Sequence, residues 1–169
     1  RPGTQFEYQS GATQILGLCL MNVTGKSLSA LMEEWFWKEL NAEKPATWHL
    51  DSEDGKELAY CCFNSNARDF ARFGKLLLNN GNWEGKSILD SAFIAESSLG
   101  SFNNFYGRSF WLYQDAQAGD IFYMHGILGQ FIIVIPSYNA LIVRLGHHRL
   151  EKENHHPLEL PIYISESLK

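Results

Sequence analysis

The sequence predicts an α+β fold in which helices come first and an antiparallel sheet follows. Apolar residues recur at helical spacing in the first half, aromatic and β-branched runs separated by short turns fill the second, and a further helical pattern ends the chain. The 169 residues, 45% of them hydrophobic, are enough to bury one core. We therefore expect one domain or part of one, mainly helical over 1–100, with strands and a closing helix over 101–169.

The first two predicted helices lie before residue 45. Apolar residues over 10–23 favour a mostly buried helix that ends near Gly25. Ser27 can cap a second helix with one apolar side, and this helix should stop before Pro45. Tyr8 therefore comes just before a helix start.

A third helix is predicted after Asn66. Asn66 and Asp69, three residues apart, resemble a capping box. Helical spacing of apolar residues then continues to Gly81, which can end the helix.

The second half of the chain is predicted to form successive antiparallel strands. The runs are 106–113, 121–124, 130–135 and 140–145. Residues 136–139 form the clearest turn, because Pro136 fixes one dihedral angle and Asn139 tolerates the left-handed region. Residues 131–135 alternate poorly and should be buried on both faces. A last helix, entered near Pro157 or Pro161, should cover the sheet with Leu160, Ile164 and Leu168.

Charge and hydropathy exclude two classes of partner. Fourteen Lys and Arg against nineteen Asp and Glu give a net charge of −5, with no basic stripe to follow a phosphate backbone. We expect no nucleic-acid partner. The longest apolar run, 131–135, is far shorter than the roughly 20 residues of a spanning helix, so we expect no membrane segment in this chain.

Cysteine and histidine often form disulfides or bind metals, but their positions in this sequence predict neither. Adjacent Cys61 and Cys62 have a geometry poor for bridging to each other, and Cys19 lies in a helical apolar pattern, so all three are predicted to be free packing residues. The histidine pairs at 147–148 and 155–156 flank charged residues typical of a solvated loop. We therefore predict no metal site.

Residues 2–10, Pro-Gly-Thr-Gln-Phe-Glu-Tyr-Gln-Ser, followed by Ile-Leu-Gly at 15–17, carry the first functional clue. They resemble the tyrosine motif of class C β-lactamases, D-alanyl-D-alanine carboxypeptidases and related esterases and amide hydrolases. This resemblance implies that Tyr8 shuttles protons for a serine nucleophile. The alternative is a tyrosine whose ring simply packs at a helix start.

Residues 124–130, Met-His-Gly-Ile-Leu-Gly-Gln, resemble the strand on which family members carry Lys-Thr-Gly or His-x-Gly. The resemblance implies that His125 is the basic residue that contacts substrate. It implies an oxyanion-hole N–H from Ile127, or from Leu128 if the alignment shifts by one. Gly126, Gly129 and Gln130 would border the substrate. The alternative for His125 is a strand-end histidine satisfied by a neighbouring carbonyl.

Scaffold segments at 59–74 and 81–86 also resemble this family, most closely the branch that holds esterases and hydrolases of aminohexanoate oligomers. Two departures matter. Ser10 stands where many relatives have Asn, which leaves the substrate class open. No serine is followed three residues later by lysine, although the family nucleophile and its lysine form such a pair upstream of the tyrosine. We therefore expect the C-terminal portion of a single β-lactamase-like domain, without its N-terminal strands and nucleophile helix.

The resemblance implies a serine hydrolase that forms an acyl-enzyme with a small-molecule or peptide-like ester, amide or peptide and needs no cofactor. The catalytic residues would be Tyr8, Ser10, His125 and Ile127, and the chain alone should be inactive. The resemblance favours a periplasmic or membrane-associated extracytoplasmic compartment, and the cytoplasm is the alternative. The alternative function is a non-catalytic module that binds ligands through the same cleft. An edge strand at 140–145 would favour self-association, and a monodisperse monomer in solution would contradict this.

Overall fold

The computed structural model describes residues 4–100, 103–147, 152–153, 156–157 and 160–167. The chain divides into two compact units, residues 1–69 and residues 70–169. The first unit holds helices and a two-stranded ladder, and the second holds a four-stranded antiparallel sheet with helices. The predicted α+β class is confirmed.

Helix α1 spans Ser10–Thr24 and ends at Gly25, whose left-handed conformation (φ 67°) lets its N–H donate to Met21 O at 2.8 Å. The predicted start and end are confirmed, but the predicted burial is wrong. Only Gly17 is buried, whereas the side chain of Ile15 is 64% exposed and that of Val23 is 83% exposed. Helical spacing shows which residues can share a face, but burial also needs a partner surface.

The second helix, α2, spans Leu28–Met32 and continues as a π-helical turn over Glu33–Trp37. The Ser27 hydroxyl accepts the N–H of Ala30 at 3.2 Å, which confirms the predicted cap. Leu28 and Leu31 are buried and Leu40 follows them into the core of the first unit. The chain leaves the helical path well before Pro45, as predicted.

Strands β1 (Thr47–Trp48) and β2 (Phe63–Asn64) pair antiparallel, and the turn before β2 overturns one prediction. Cys61 and Cys62 form a disulfide, and Cys19 is free and exposed. Neighbouring cysteines can bridge here because Cys62 adopts a left-handed conformation, with φ 70°. Residue pattern alone does not reveal such a backbone angle, which is uncommon for a non-glycine residue.

Helix α3 spans Ala67–Leu78 and crosses the boundary between the units. Asn66 Oδ1 accepts the N–H groups of Arg68 and Asp69 at 2.9 and 3.0 Å, which confirms the predicted cap. The buried Asp69 carboxylate also accepts the N–H groups of Glu43 and Lys44. Asn66 Nδ2 also donates to Asp69 Oδ2 at 2.6 Å, so the Asp69 carboxylate connects the cap of α3 to the loop before β1.

In the second unit, α3 is followed by a short hairpin and a short helix. Strands β3 (Asn82–Trp83) and β4 (Lys86–Ser87) form a hairpin, and helix α4 spans Ser91–Ser97. The Asp90 carboxylate caps α4 by accepting the N–H of Ala92 at 2.8 Å. Helix α4 was not predicted from the sequence, because its seven residues are too few for a strong periodic signal.

The main sheet is a meander, in which each strand pairs with its neighbour along the chain. Its order is β5 (Trp111–Asp115), β6 (Gly119–Gly126), β7 (Gln130–Ile135) and β8 (Ala140–Arg144). A 3₁₀ turn at Pro136–Tyr138 with left-handed Asn139 joins the last two, as predicted. The first strand starts later than the predicted residue 106, because Gly107 and left-handed Ser109 (φ 69°) form a turn before it.

Strand β7 forms the centre of the core and is buried on both faces, as predicted. Phe131, Ile133 and Ile135 lie in a cluster with Leu160 and Ile164 of helix α5 (Leu160–Ser167). On the opposite face, Val134 packs in a cluster of buried residues from α3, α4, β5 and β6: Leu77, Ile94, Leu112 and Phe122. The closing helix is confirmed for Leu160 and Ile164, and Leu168 lies outside the described residues.

A short ladder completes the described elements, with β9 (Lys152–Glu153) paired to β10 (His156–Pro157). His148 and His155, from the two histidine pairs, lie outside the described residues. In the described part of the chain, no single helix is long and apolar enough to cross a membrane. The helical segments 10–24 and 28–37 reach that length and composition only when taken together, and they are bent by 80° relative to each other.

Candidate active site

Tyr8 and Ser10 lie at the entrance of α1, in the first unit. Tyr8 is two residues before the first helical residue, Ser10, and its side chain is 55% exposed. The N-cap residue between them, Gln9, is extended, and its carbonyl accepts the N–H of Ala12 at 3.2 Å. A phenol and a hydroxyl are therefore presented together at an exposed helix start, where both can exchange hydrogen bonds with a substrate.

The side chain of Gln14 fixes this helix start to the rest of the first unit. Its Nε2 donates to the Glu57 carbonyl at 3.1 Å and its Oε1 accepts the N–H of Ala59 at 2.8 Å. One turn further along, Gly17 lies so close to Ala59 that a Cβ would approach the Ala59 Cβ to 2.6 Å. These contacts hold the first two turns of α1, and with them Tyr8 and Ser10, against residues 57–59.

Glu57 in turn fixes α2. Its side chain is buried and accepts the N–H of Ser29 at 2.9 Å, at the start of that helix. Burial raises the pKa of the Glu57 carboxyl, but hydrogen bonds from Ser29, from its own N–H and from the Leu28 N–H outweigh burial and leave the pKa lowered. A carboxylate is therefore held in its ionised form between α1 and α2.

In the second unit, five predicted site residues lie at one end of the β6–β7 hairpin: His125, Gly126, Ile127, Gly129 and Gln130. Gly126 pairs with Gln130, so the loop consists of residues 127–129. Leu128 and Gly129 are both left-handed, with φ 61° and 81°. Ile127 therefore lies at the tip of the loop and is 81% exposed.

Strand β8 and the residues after it brace this loop. The Gln130 side chain makes a reciprocal pair of hydrogen bonds with the backbone of Gly146, donating to its carbonyl and accepting its N–H at 3.1 Å. Arg144 Nη1 donates to the Gly129 carbonyl. Arg144 also lies over the Tyr163 ring of α5, 5.1 Å from its centroid.

Arg144 and Gly146 therefore belong to the supports of the loop, although they were not predicted as site residues. Arg144 ends β8 and Gly146 follows it, and they lie 15 and 16 residues from their partners in the sequence. No local pattern encodes such a pairing. Because both functional atoms of the Gln130 carboxamide are engaged with Gly146, its direct effect is to fix the loop.

His125 lies on the sheet face that α5 covers. Its ring stacks on Phe131 with centroids 4.6 Å apart and planes 12° from parallel, and the edge of Trp111 approaches at 6.5 Å. Tyr123 and Phe131 on the same face belong to the cluster with Leu160 and Ile164. The half-buried ring is thus part of the packing beneath the hairpin end.

A family model described as Beta-lactamase matches residues 1–157 of the chain. The chain belongs to the beta-lactamase family. Among curated proteins, the 6-aminohexanoate-dimer hydrolase of Paenarthrobacter ureafaciens is 26% identical in an alignment 156 residues long that covers 84% of this chain and 39% of that protein.

Solved structures of family members have the same fold. The Bacillus anthracis protein assigned as a 6-aminohexanoate-dimer hydrolase superimposes with a TM-score of 0.81 at 29% identity, over 99% of this chain and 43% of that one. A beta-lactamase of Mycobacterium bovis superimposes with a TM-score of 0.72 at 19% identity, over 98% of this chain and 66% of that one. The chain thus spans about two fifths of the length of the aminohexanoate-dimer hydrolases that it matches.

Proposed function

We propose that residues 1–169 form the part of a serine hydrolase that binds the acyl carbonyl and moves protons, while the nucleophilic serine and its lysine come from polypeptide outside these residues. None of the serines in 1–169 is followed three positions later by lysine. The chain alone is therefore inactive in this proposal, because removal of a nucleophile costs many orders of magnitude in rate.

In the acylation step the serine hydroxyl attacks the carbonyl carbon of an amide or ester. Tyr8 accepts the hydroxyl proton and passes it to the leaving amine or alcohol. The Ile127 N–H, at the tip of the 127–129 loop, donates to the oxyanion of the tetrahedral intermediate. Gly126 is exposed and has no side chain, so a substrate can approach the loop from its β6 end.

Water then hydrolyses the acyl-enzyme: Tyr8 accepts a proton from the attacking water and returns it to the serine oxygen, and the Ile127 N–H again donates to the oxyanion. Overall, one amide and one water give one carboxylic acid and one amine. The names of two relatives favour a linear aliphatic amide as the substrate class. Ser10 offers a hydroxyl where many relatives offer a carboxamide, so in this proposal it hydrogen-bonds the substrate as a smaller donor and acceptor.

The supports of the loop have a positioning role in this proposal. Gln130 holds the loop through Gly146, and His125 does so by stacking on Phe131 beneath the strand end. This proposal assigns His125 a packing role in place of the substrate contact.

One observation carries the proposal: the Tyr8 motif stands at an exposed helix start in a chain that matches a hydrolase family over 157 of its residues. A tyrosine with only a packing role would bury its ring.

The test is covalent labelling of the full-length encoded protein with a fluorophosphonate, followed by intact-mass spectrometry. We expect one adduct on a serine outside 1–169, and a drop in labelling rate of at least about 100-fold in Tyr8→Phe, the usual size of a general acid–base contribution. Tyr138→Phe is the matched control, because Tyr138 is similarly exposed (47%) on the turn after β7. This control should label at the wild-type rate.

The substrate class is then tested with a linear aminohexanoate dimer, whose hydrolysis is measured by the amount of free amine released. A folded full-length protein that forms no adduct would contradict the proposal and favour the non-catalytic binding module. Equal labelling of the wild type and Tyr8→Phe would remove Tyr8 from the mechanism.

A further inference from the structure

The disulfide between Cys61 and Cys62 is the centre of a hydrogen-bonded turn in the first unit, over residues 58–63. A bond between neighbouring cysteines closes a small ring around one peptide group. Cys62 has φ 70° within this ring. Non-glycine residues strongly favour negative φ, so an open chain would not hold Cys62 in this conformation without other constraints.

The carbonyl groups of this turn hold strand β1 in place. The indole Nε1 of Trp48 donates to the carbonyls of Leu58 and Cys61 at 3.0 and 2.9 Å. The Cys62 carbonyl accepts the N–H of His49 at 3.2 Å. The dihedral angles of Cys62 set the direction of both cysteine carbonyls, so its left-handed conformation determines whether these bonds can form.

The side chains next to the turn line a groove. Phe63 contacts Trp48 and Trp37 edge to face, with both centroid distances 5.1 Å. Trp37 Nε1 also donates to the Lys44 carbonyl at 2.9 Å, which fixes the position of the Trp37 ring. These three rings line a groove of about 770 Å³ that lies wholly within residues 29–63. The shape of the groove thus depends on β1 and β2 staying in register.

We propose that the Cys61–Cys62 disulfide is a redox-sensitive latch that sets the shape of the Trp37–Trp48–Phe63 groove. A dithiol reductant breaks the S–S bond by two-electron thiol–disulfide exchange. The protein gains two thiols, and the reductant gives up its two thiol protons and electrons to become a disulfide. Cys62 then returns to negative φ, its carbonyl and that of Cys61 turn away from β1, and the rings rearrange.

The first measurement is the thiol count of the chain purified without reductant, unfolded in guanidinium with iodoacetamide and weighed intact. The wild type should gain one carbamidomethyl group, at Cys19, and three after dithiothreitol treatment. Three groups without reductant would overturn the proposal, because no disulfide would then exist.

The second measurement follows the groove by ¹⁹F NMR of the chain labelled with 5-fluorotryptophan, each signal assigned by a Trp→Phe variant. In a Cys19→Ser background, dithiothreitol should shift the Trp37 and Trp48 signals by more than their linewidths, and an oxidised dithiol should restore them. Trp83 and Trp111, in the second unit, are internal controls and should not move. Unchanged Trp37 and Trp48 signals would overturn the proposal.

Two paired variants separate the backbone effect from the sulfur chemistry. Cys61→Ser with Cys62→Ser should show the reduced positions of both signals and ignore dithiothreitol. Cys61→Ser with Cys62→Gly should stay closer to the oxidised positions, because glycine adopts φ near 70° at no steric cost. A dithiothreitol response in either variant would contradict the latch. If one variant fails to fold, the oxidation cycle of the Cys19→Ser chain still decides the question.

Discussion

Helix α1 and strand β7 are both rich in apolar residues, yet they have opposite environments. In β7 all residues from Phe131 to Ile135 are buried, between two clusters that cover its two faces. In α1 only Gly17 is buried, and Ile15, Leu16 and Val23 are largely exposed. Apolar composition therefore predicts which segments gain from burial, whereas the presence of a partner surface decides whether burial occurs.

The difference also separates two kinds of contact. Strand β7 is stabilised along its whole length, by hydrogen-bonded ladders with β6 and β8 and by side-chain packing on both faces. Helix α1 is held at few places, mainly by the Gln14 carboxamide and by Gly17 against Ala59 and Leu28. Substitutions in β7 should thus act through lost apolar burial, and those in α1 only where it contacts residues 28 and 57–59.

The largest expected effect comes from a matched pair of isoleucines. Ile133 of β7 is fully buried and Ile15 of α1 is 64% exposed. Ile133→Ala should lower the free energy of unfolding by about 2–5 kcal/mol, because it removes buried methyl groups and leaves a cavity. Ile15→Ala should change it by no more than about 0.5 kcal/mol. Urea unfolding followed by circular dichroism measures both, and equal losses would mean that α1 is covered in solution.

The next effect is expected within α1 itself, at two glycines. At Gly17 a Cβ would lie 2.6 Å from the Ala59 Cβ and 3.2 Å from Leu28 Cδ1, whereas at Gly11 it would meet nothing within 4 Å. Gly17→Ala should therefore destabilise the chain by about 1–3 kcal/mol through overpacking. Gly11→Ala should be neutral or stabilise it by up to about 1 kcal/mol, because alanine favours a helix. Thermal unfolding of the two variants compares them, and the opposite order would place the contact of α1 elsewhere.

The smallest effect concerns the carboxylate between α1 and α2. The pKa of Glu57 is lowered in the fold, so its ionised form stabilises the chain above the unfolded pKa of about 4.3, and this stability is lost as pH falls through the folded pKa. Glu57→Gln should cost about 1 kcal/mol at pH 7 and progressively less in acid. Glu53→Gln, at an exposed site, is the control and should track the wild type at every pH. A pH-independent loss in Glu57→Gln would assign its cost to packing.

Local signals account for what the sequence predicted correctly. Two features are determined by a few adjacent residues: the cap of α3 by Asn66 and Asp69, and the turn at Pro136–Tyr138. The uninterrupted apolar run of β7 likewise predicts burial on both faces, because residues 131–135 include no polar side chain that would favour contact with water.

Features that depend on distant partners or on one backbone angle were not predictable. The Gln130–Gly146 pair joins residues 16 apart, and no periodicity encodes it. The Cys61–Cys62 disulfide occurs together with a left-handed Cys62, and no residue pattern predicts a backbone angle of this kind at a non-glycine residue. The exposure of α1 depends on the absence of a covering surface among the described residues. At the candidate site, the motifs indicated Tyr8 and residues 124–130, whose catalytic roles stay predictions, but no pattern indicated the Arg144 and Gly146 contacts that brace the 127–129 loop.

The sequential order of β5, β6, β7 and β8 has a consequence for how the sheet forms. Each ladder joins strands separated by a turn of only three or four residues, so the entropy lost on closing each hairpin is small. Contacts of this local kind favour fast assembly. During synthesis the hairpins of the meander can form one after another as the strands leave the ribosome. Helix α5 is synthesised last and then covers the sheet face that carries Phe131 and Ile133.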